Sequence, residues 1–446
     1  MPEFYETVFV GGGISCLAAA RRLRGDSLLL EREARVGGAC RSDRIEGYTF
    51  DRTGHLLHLA QPRTRRWLKG LLAGQLIEHV RDSRIHSHGV ETRYPFQAHF
   101  HGLPPEVAAE CLEGVFEAHY RPPKRKPRER GQPERFSDWV LERFGRGVAR
   151  HFLFPYNRKL WTVQPHALTS EWIGRFVPRP DLHQVVLGAL TDLREEAGYN
   201  AGFLYPKRGG IETLARALAR PLTKVWCGAE VIRVDLTRRR LRLASGEELG
   251  FGRLISCAPL PDLASMITDL SGDLRRAARR LKAASVFNLN LGVRDRGATH
   301  HWTYVPEPAF GLYRFGYASN FARSCAPRGC AAIYTEVAFR RGTRPDLAAM
   351  RRRVIADLVR IGALDNKADV LVEHPLVLDV AYAIYDRHRT RAVTKLLSAL
   401  GRRGVHSVGR WGTWSYGSME DAILQGLDLA DEIRKGRLGS RKVDNP

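Results

Sequence analysis

The chain has 446 residues, of which 43% are hydrophobic and 9% aromatic, so its length predicts about three domains around a sizeable core. This composition excludes a wholly disordered, collagen-like or disulfide-scaffold protein. No apolar run approaches the roughly 18 residues of a membrane helix, and the N-terminus enters a strand-like run without a basic leader. We therefore expect a soluble, cytoplasmic enzyme with no membrane partner.

The formal net charge of +23 comes mainly from arginine, which supplies 60 of the 71 basic residues. Arginine suits phosphate groups, so a nucleic acid, an acidic membrane or a phosphorylated small molecule would each match this charge. The simpler interpretation is a solvated basic surface. Residues 121–135 (RPPKRKPRERGQPER) are basic and proline-rich, which predicts an exposed loop. Because no aromatic residues are interleaved there for base stacking, we expect no nucleic-acid partner.

The cysteines and histidines do not form a metal-binding pattern. The seven cysteines are an odd number without a C-x-x-C pair, and the 16 histidines are scattered. We therefore expect neither structural zinc nor another metal.

The N-terminal segment has the pattern of a dinucleotide-binding turn. Residues 6–10 (ETVFV) predict a strand, GGG follows, and ISCLAAARRLRG predicts a helix. Gly11 permits a tight turn, and Gly13 lets the backbone approach a pyrophosphate at the helix N-terminus. A second strand, SLLLE, ends at Glu31, twenty residues after Gly11, where a carboxylate binds ribose hydroxyls. The predicted cofactor-binding residues of this segment are Gly11, Gly13, Ser15 and Glu31.

The residues after Glu31 favour FAD over NAD. Residues 31–42 (EREARVGGACRS) resemble the stretch that continues this fingerprint in flavin-dependent amine oxidases and their relatives. Residues 48–58 (YTFDRTGHLLH) are similar to the F-D-x-G-x-H segment of that superfamily. The resemblance implies that His55 lies beneath the isoalloxazine and that FAD contacts Arg32, Gly38, Arg41 and Gly54.

Two later segments complete the predicted FAD domain. Residues 205–219 (YPKRGGIETLARALA) predict a strand, a glycine turn and a helix that re-enter it. Residues 405–410 predict a short strand, and Ser418 with Asp421 forms an N-cap pattern before an amphipathic helix. We therefore expect an FAD domain built from residues 1–80, 205–265 and 400–446, with further flavin contacts from Gly409, Arg410, Ser418 and Met419.

The middle of the chain carries more specific motifs. Residues 94–97 (YPFQ), 102–104 (GLP) and 154–161 (FPYNRKLW) are followed in order by Trp172 and by residues 409–416 (GRWGTWSY). In this order they resemble the UDP-galactopyranose mutases, especially those of the eukaryotic type, over nearly the whole chain. The Y-P-F-Q and P-Y-N-x-K-x-W motifs are the specific part of the resemblance, and the rest is shared with the amine oxidase and protoporphyrinogen oxidase superfamily.

The resemblance implies an α/β fold with three parts. These are a Rossmann-like FAD-binding domain, an inserted helical substrate-binding domain over 101–195, and an antiparallel β-sheet domain over 81–100 and 266–399. The local patterns agree, since 101–195 is rich in helix-like stretches and the later region in short β-type runs.

The resemblance also implies the chemistry. In the mutases, reduced FAD is the catalyst, and an external reductant such as NADPH would supply the electrons. Its N5 attacks the anomeric carbon of a nucleotide-diphosphate sugar and the diphosphate leaves, which interconverts pyranose and furanose forms. His55 and Arg314 carry over as catalytic residues. The implied substrate-binding residues are Gln97, Phe152, Tyr156, Asn157, Trp161, Arg175, Asn200, Arg314, Tyr382 and Tyr416.

Two positions depart from the mutase pattern. Arg175 lies one residue out of register with a second diphosphate arginine, and Phe321 replaces a tyrosine seven residues after Arg314, which removes a hydroxyl. From the residues alone, Phe152, Tyr156 and Trp161 equally fit simple core packing on one helix face. Two other functions stay open: an FAD-dependent oxidoreductase performing net hydride transfer, and a nucleic-acid-binding or partner-binding flavoprotein.

Overall fold

A computed structural model describes residues 2–121, 132–193 and 201–437. In these ranges the strands form two seven-stranded sheets and two two-stranded sheets. The strands are β1 (Glu3–Val10), β2 (Ser27–Glu31), β3 (Ser42–Ile45), β4 (Tyr48–Asp51), β5 (Leu76–Val80), β6 (Ser83–Ser87), β7 (Val90–Arg93), β8 (Gly202–Pro206), β9 (Val225–Cys227), β10 (Val231–Asp235), β11 (Arg240–Leu243), β12 (Glu248–Ser256), β13 (Ala283–Arg294), β14 (Trp302–Tyr304), β15 (Arg314–Tyr317), β16 (Cys330–Arg340), β17 (Val370–Ala383) and β18 (Val405–Ser407).

The helices surround these sheets. They are α1 (Ile14–Leu23), α2 (Pro62–Leu71), α3 (Pro105–Tyr120), α4 (Phe136–Val148), α5 (Phe154–Trp161), α6 (Leu182–Leu190), α7 (Glu212–Ala219), α8 (Leu260–Met266), α9 (Gly272–Arg279), α10 (Leu347–Ile361), α11 (Arg389–Gly401), α12 (Gly409–Gly412) and α13 (Met419–Arg434). A π-helical turn over Ala149–Leu153 joins α4 to α5.

The first large sheet is the dinucleotide-type sheet that the N-terminal pattern predicts. Strands β9, β2, β1, β12 and β18 run parallel, while β10 and β11 extend the sheet antiparallel beside β12. Apolar strand residues are buried on both faces: α1, α7 and α13 pack on one face, and α8, α9 and α11 on the other. Burial on both faces explains why β1 and β2 consist of apolar runs without alternation.

The second large sheet has the strand order β17-β13-β16-β15-β14-β6-β7. Its neighbours are antiparallel except β6 and β14, which run parallel. One face packs against the helical region from α3 to α6, and the other face packs against α10. This sheet therefore places one side of β15, β16 and β17 opposite the helical region, with the first sheet at its edge.

The segment predicted to re-enter the FAD domain does so through its helix. Strand β8 pairs antiparallel with β5 in a separate two-stranded sheet instead of joining the first large sheet. Helix α7 then packs into the core beside α1, where Leu214, Ala215 and Leu218 are fully buried. A short pattern predicts a strand, but the choice of pairing partner depends on residues far away in sequence.

Two sequence-based predictions lie outside the described residues: most of the basic loop (residues 122–131 of 121–135) and Asn200. Across the described ranges, no helix is long and apolar enough to cross a membrane. No group of three or more potential metal ligands occurs in those same ranges.

Candidate active site

A cavity of about 580 Å³ lies where the first sheet, the helical region and the second sheet meet. The glycine turn and Glu31 line one end, and His55 and Arg314 line the other. Most of the predicted site residues line this single cavity, namely Gly11, Gly13, Ser15, Glu31, Arg32, Gly38, Arg41, Gly54, His55, Gln97, Phe152, Tyr156, Asn157, Arg314, Tyr382, Gly409, Arg410, Tyr416, Ser418 and Met419. Trp161 and Arg175 do not line it.

The turn between β1 and α1 presents backbone N–H groups to the cavity. Gly11 has φ +95°, a conformation that favours glycine, and Gly13 is the N-cap of α1 without a side-chain acceptor. A Cβ at Gly13 would lie 3.0 Å from the Cys257 Sγ, so the turn has little room for a side chain there. No acidic residue occupies the first turn of α1, and Ser15 lines the cavity. An uncapped helix N-terminus of this kind fits a pyrophosphate.

The carboxylate of Glu31 is fixed at the end of β2. Its Oε2 accepts a hydrogen bond from Gly12 N at 2.6 Å, and its Oε1 accepts from Glu33 N at 2.9 Å. This placement at the cavity suits a ribose.

The two predicted arginines near Glu31 behave differently. Arg41 is buried, and its guanidinium donates from Nε to Gly38 O at 3.1 Å and from Nη1 to Glu33 Oε2 at 3.2 Å. The hydrogen bond from Arg41 lowers the pKa of Glu33. The Arg32 side chain is 66% exposed and lies 3.7 Å from Glu33. Arg41 is therefore a cation that two hydrogen bonds fix at the cavity, whereas Arg32 lies at the solvent-exposed edge of the cavity.

The start of α13 also lines the cavity. Ser418 is the N-cap that the sequence predicts, and with Asp421 it forms a capping box in which Asp421 N donates to Ser418 Oγ at 3.2 Å. Met419 Sδ lies 3.4 Å from Cys40 Sγ. Gly409 has φ +79°, and a Cβ there would lie 2.3 Å from Ser15 Oγ, so only glycine fits between α1 and α12.

His55 lies in the cavity as a neutral imidazole. Burial lowers its pKa to about 4, and its Nδ1 is 3.4 Å from Thr53 Oγ1. The residue before His55 has no room for a side chain, because a Cβ at Gly54 would lie 2.5 Å from the Tyr334 hydroxyl.

Arg314 begins β15 and forms a buried ion pair with Glu336 on β16. Arg314 Nη2 donates to Glu336 Oε1 at 2.6 Å, and the Glu336 side chain is 1% exposed. The Nε of Arg314 is buried without a hydrogen-bond partner among the described residues. Burial opposes the charge of Arg314, but the Glu336 carboxylate outweighs this and raises the pKa of Arg314 well above its usual range. Arg314 is therefore a permanent cation with donor capacity left over.

Sequence reasoning missed Glu336. It also accepts a hydrogen bond from the Tyr313 hydroxyl and lies 3.4 Å from Gly54 N, so it joins Arg314 to the His55 loop. The signal was available, because Glu336 is a lone acid in the otherwise neutral run CAAIYTEVAF of β16. A carboxylate in a fully buried strand needs a cation or several donors beside it.

Tyrosine side chains line the cavity together with Arg314. The predicted Tyr382 and Tyr416 stack 6.2 Å apart, and Arg410 lies over both rings. Burial raises the pKa of Tyr416 to about 12 and raises that of Tyr382 as well, so both phenols stay protonated donors at neutral pH. Three more tyrosines that were not predicted as site residues line the same cavity, namely Tyr94, Tyr304 and Tyr313.

The helical region contributes an aromatic and amide face. Phe152 and Tyr156 stack with ring centroids 5.4 Å apart, and Asn157 lies beside them. Gln97 is 2% exposed and donates from Nε2 to Pro178 O at 2.7 Å, but its Oε1 has no partner among the described residues. Trp161 lies behind this face, fully buried, and donates from Nε1 to Asn157 Oδ1 at 3.0 Å.

The two departures from the mutase pattern lie outside the cavity lining. Arg175 is paired with Asp421 at 2.7 Å, while its neighbour Phe176 lines the cavity. Phe321 is 1% exposed and packs against Tyr205 and Phe203 in the core. Phe321 is not among the described residues that line the cavity, so we expect the hydroxyl lost at this position not to face a ligand there.

Comparisons with solved structures show which proteins share this fold. A crystal structure of reduced UDP-galactopyranose mutase superposes with a TM-score of 0.89 at 24% identity, covering 98% of this chain and 96% of that one. A protein described as a protoporphyrinogen oxidase from Exiguobacterium sp. 255-15 gives a TM-score of 0.71 at 16% identity, covering 98% and 99%. Putrescine oxidase bound to putrescine gives 0.63 at 17%, covering 98% and 100%.

The sequence itself matches a family over most of its length. Residues 14–434 match the model of the family described as flavin containing amine oxidoreductase, and this range runs from the start of α1 to the end of α13 and includes the second large sheet and every strand of the first except β1. The chain therefore belongs to the flavin-containing amine oxidoreductase family and is a flavin-dependent enzyme with a mixed α/β fold.

Proposed function

We propose that this protein is an FAD-dependent mutase that interconverts the pyranose and furanose forms of a nucleotide-diphosphate sugar. The observation that carries the proposal is a buried cation with unused donor capacity, Arg314, in the same cavity as a dinucleotide-binding turn. The shared fold of reduced UDP-galactopyranose mutase supports it over nearly the full length of both chains.

The described residues fit FAD. The uncapped N-terminus of α1 matches a pyrophosphate, and Glu31 at the end of β2 matches a ribose. The cavity then continues past Met419 to His55 and Arg314, so the flavin ring of a bound FAD would lie next to the Arg314 guanidinium. Reduced FAD bound here would supply N5 as a nucleophile for the anomeric carbon.

Arg314, Tyr382 and Tyr416 would hold the diphosphate. As the glycosidic bond breaks, the leaving oxygen gains negative charge, and a fixed guanidinium with neutral phenol donors stabilises that charge without reorganisation. Glu336 holds the guanidinium in place through the 2.6 Å contact between Arg314 Nη2 and Glu336 Oε1. Because the cluster is buried, its electrostatic effect exceeds that of an exposed arginine.

The nucleotide part of the substrate would lie against the helical region. Phe152 and Tyr156 offer parallel rings for a base, and the free Oε1 of Gln97 is an acceptor for a base N–H. Asn157 uses both of its side-chain atoms internally, on Leu153 O and Trp161 Nε1, so it orients the face instead of hydrogen-bonding a ligand. We assign Trp161 a supporting role for the same reason.

The second candidate function is an FAD-dependent oxidoreductase that performs net hydride transfer. It is supported by the family match and by the shared fold of putrescine oxidase. In that case His55 and the surrounding tyrosines would line a pocket for an oxidisable substrate, and the Arg314 cluster would bind a substrate anion.

The test counts product per electron pair. The purified protein is reduced anaerobically with one equivalent of dithionite, or with NADPH, and is then given UDP-galactopyranose and a panel of other nucleotide sugars. A mutase returns the electron pair to the flavin in each cycle, so many turnovers follow one reduction. Reductant loss in proportion to product, or turnover driven by oxygen, would establish the oxidoreductase instead.

A further inference from the structure

A second large cavity lies between the first sheet and helices α1, α2 and α13. It has a volume of about 1060 Å³, and its lining includes the end of α1, the first two turns of α2, the loop before β9, and α13. Ser27 at the start of β2 lines this cleft, whereas Glu31 at the end of the same strand lines the active-site cavity. No described residue lines both cavities, although adjacent strand residues divide between them: Phe9 and Leu29 line the cleft, and Val10 and Leu30 line the active-site cavity.

The lining of this cleft is cationic. Six basic side chains line it, and none of its lining residues is acidic; the six are Arg21, Arg22, Arg24, Arg63, Lys224 and Arg434. Asp431 pairs with Arg22 at 2.6 Å and with Arg63 at 3.4 Å, and Asp26 pairs with Lys224 at 3.2 Å. In the described ranges no carboxylate pairs with Arg21, Arg24 or Arg434.

Helix ends account for part of this charge. Basic residues occupy the last turns of α1 and α13, where the helix dipoles favour cations. Each dipole amounts to roughly half a negative charge, so the two helix ends and two paired carboxylates leave an excess of about three positive charges. Arg63 and Lys224 come from two other segments. Their convergence on one cleft is therefore not explained by helix capping.

The remaining lining residues add hydrogen-bonding and apolar surface. Thr64 is 1% exposed, and its hydroxyl has no hydrogen-bond partner within the described ranges. Trp67, one helical turn later on α2, is half-buried against the core and also lines the cleft. A buried hydroxyl without a partner costs free energy unless a ligand or water uses it.

We propose that this cleft is a second binding site for a nucleoside polyphosphate, distinct from the active-site cavity. Arg24, Arg434 and their neighbours bind the phosphates, the Thr64 hydroxyl donates to the ligand, and the base stacks on Trp67. The volume of the cleft is that of a pocket for a ligand of this size, and far exceeds that of one phosphate ion. A single-stranded nucleic acid would need repeated aromatic rings along an open groove, and the cleft has one.

The test measures ATP binding to the full-length, FAD-loaded protein at fixed ionic strength. The double variant Arg24→Glu/Arg434→Glu should weaken ATP binding at least tenfold and leave FAD content unchanged. The matched control Arg279→Glu/Arg280→Glu makes the same charge change at exposed arginines near the end of α9, and should bind ATP like the wild type. Equal loss in both double variants would reduce the effect to net charge and overturn the proposal.

Two further measurements locate the ligand and its base. Arg314→Ala should keep wild-type ATP affinity; if it loses affinity while Arg24→Glu/Arg434→Glu does not, ATP uses the active-site cavity and the second site is refuted. That outcome leaves the proposed mutase activity standing, since it is measured on sugar turnover. Trp67→Ala should weaken ATP at least fivefold and leave inorganic tripolyphosphate unaffected.

The other anionic ligands serve as competing outcomes. Vesicles of phosphatidylglycerol and phosphatidylcholine, and a short RNA, are tested for binding in competition with ATP. If either binds in an Arg24-dependent manner and ATP does not compete, the cleft binds a membrane surface or an RNA, and the proposal is overturned. If the double variant does not fold, Thr64→Val supplies the second test, because it removes one donor from the cleft and no charge. Wild-type ATP affinity in both Thr64→Val and Trp67→Ala would refute the site.

Discussion

Arg314 and Glu336 form an ion pair of 2.6 Å in which the carboxylate is fully buried and the guanidinium faces the cavity. Arg314 on β15 lies directly opposite Glu336 on β16, so the register of the two strands sets the geometry of the ion pair. The pair places a cation where a diphosphate would lie while balancing its charge from the protein side. It is the feature of the site on which the proposed chemistry most depends.

Arg314→Ala should lower turnover of the nucleotide sugar at least a hundredfold, taking about 2.7 kcal/mol for one lost charge-stabilising donor. FAD content, measured by flavin absorbance, should not change. Arg314→Lys should recover only part of the rate, since a point charge does not reproduce a bidentate grip. Normal turnover in Arg314→Ala would contradict the diphosphate assignment and favour the oxidoreductase.

The same substitution should also destabilise the fold, because it leaves the Glu336 carboxylate buried and unpaired. The expected loss is about 3–5 kcal/mol in the free energy of unfolding, which denaturant titration measures. The double variant Arg314→Ala/Glu336→Gln should regain most of the stability and none of the turnover. This separates the structural role of the pair from the role of Arg314 toward substrate; joint recovery of both would argue against a substrate contact.

Gly13→Val should yield a colourless apoprotein. A Cβ at Gly13 already lies 3.0 Å from Cys257 Sγ, and a branched side chain would in addition cover the N–H groups that face a pyrophosphate. Flavin absorbance per mole of purified protein is the measurement. Gly401→Val is the control, since a Cβ there meets no atom within 4 Å. Wild-type flavin content in Gly13→Val would place the dinucleotide elsewhere.

Phe321→Tyr should leave turnover unchanged and lower stability. The ring packs in the core against Tyr205 and Phe203, so the new hydroxyl would be buried. A buried hydroxyl without a partner costs about 1–3 kcal/mol in the free energy of unfolding. Kinetic constants and a denaturation curve of the same preparation test both halves. A rise in turnover would mean that position 321 does reach the substrate, as the mutase pattern implies.

Stability should rise with pH between about 4 and 6.5. Burial lowers the pKa of His301 from 6.5 to about 4, and its Nδ1 accepts a hydrogen bond from Asp82 N at 2.9 Å, which requires the neutral ring. Between these two values the unfolded chain binds the proton and the folded chain does not, so acid favours unfolding and the stability is lost as pH falls through this window.

His301→Phe tests this linkage. The variant should reduce the slope of unfolding free energy against pH by about one proton, roughly 1.4 kcal/mol per pH unit near pH 5. It should also be less stable at pH 7, because Asp82 N loses its acceptor. The measurement is a set of urea titrations from pH 4 to 7. An unchanged slope would mean that His301 is protonated in the folded protein.

Local patterns determined much of the first large sheet and of the helices beside it. The glycine turn after β1, the carboxylate at the end of β2 and the capping box at Ser418 are each set by residues within a few positions of one another. Interactions of that range operate in the same way whatever the rest of the chain does. The predictions of these strands, helices and caps were therefore confirmed.

The part of the cavity around Arg314 depended on tertiary structure. Glu336 meets Arg314 only through strand register, Phe321 turns into the core instead of the cavity, and Trp161 lies behind the face formed by Asn157. Strand β8 pairs with β5, and four separate segments bring basic residues to the second cleft. Sequence alone determined which residues favour each local conformation. Pairing and packing between distant segments decided which side chains share a cavity, because those contacts depend on the whole buried core.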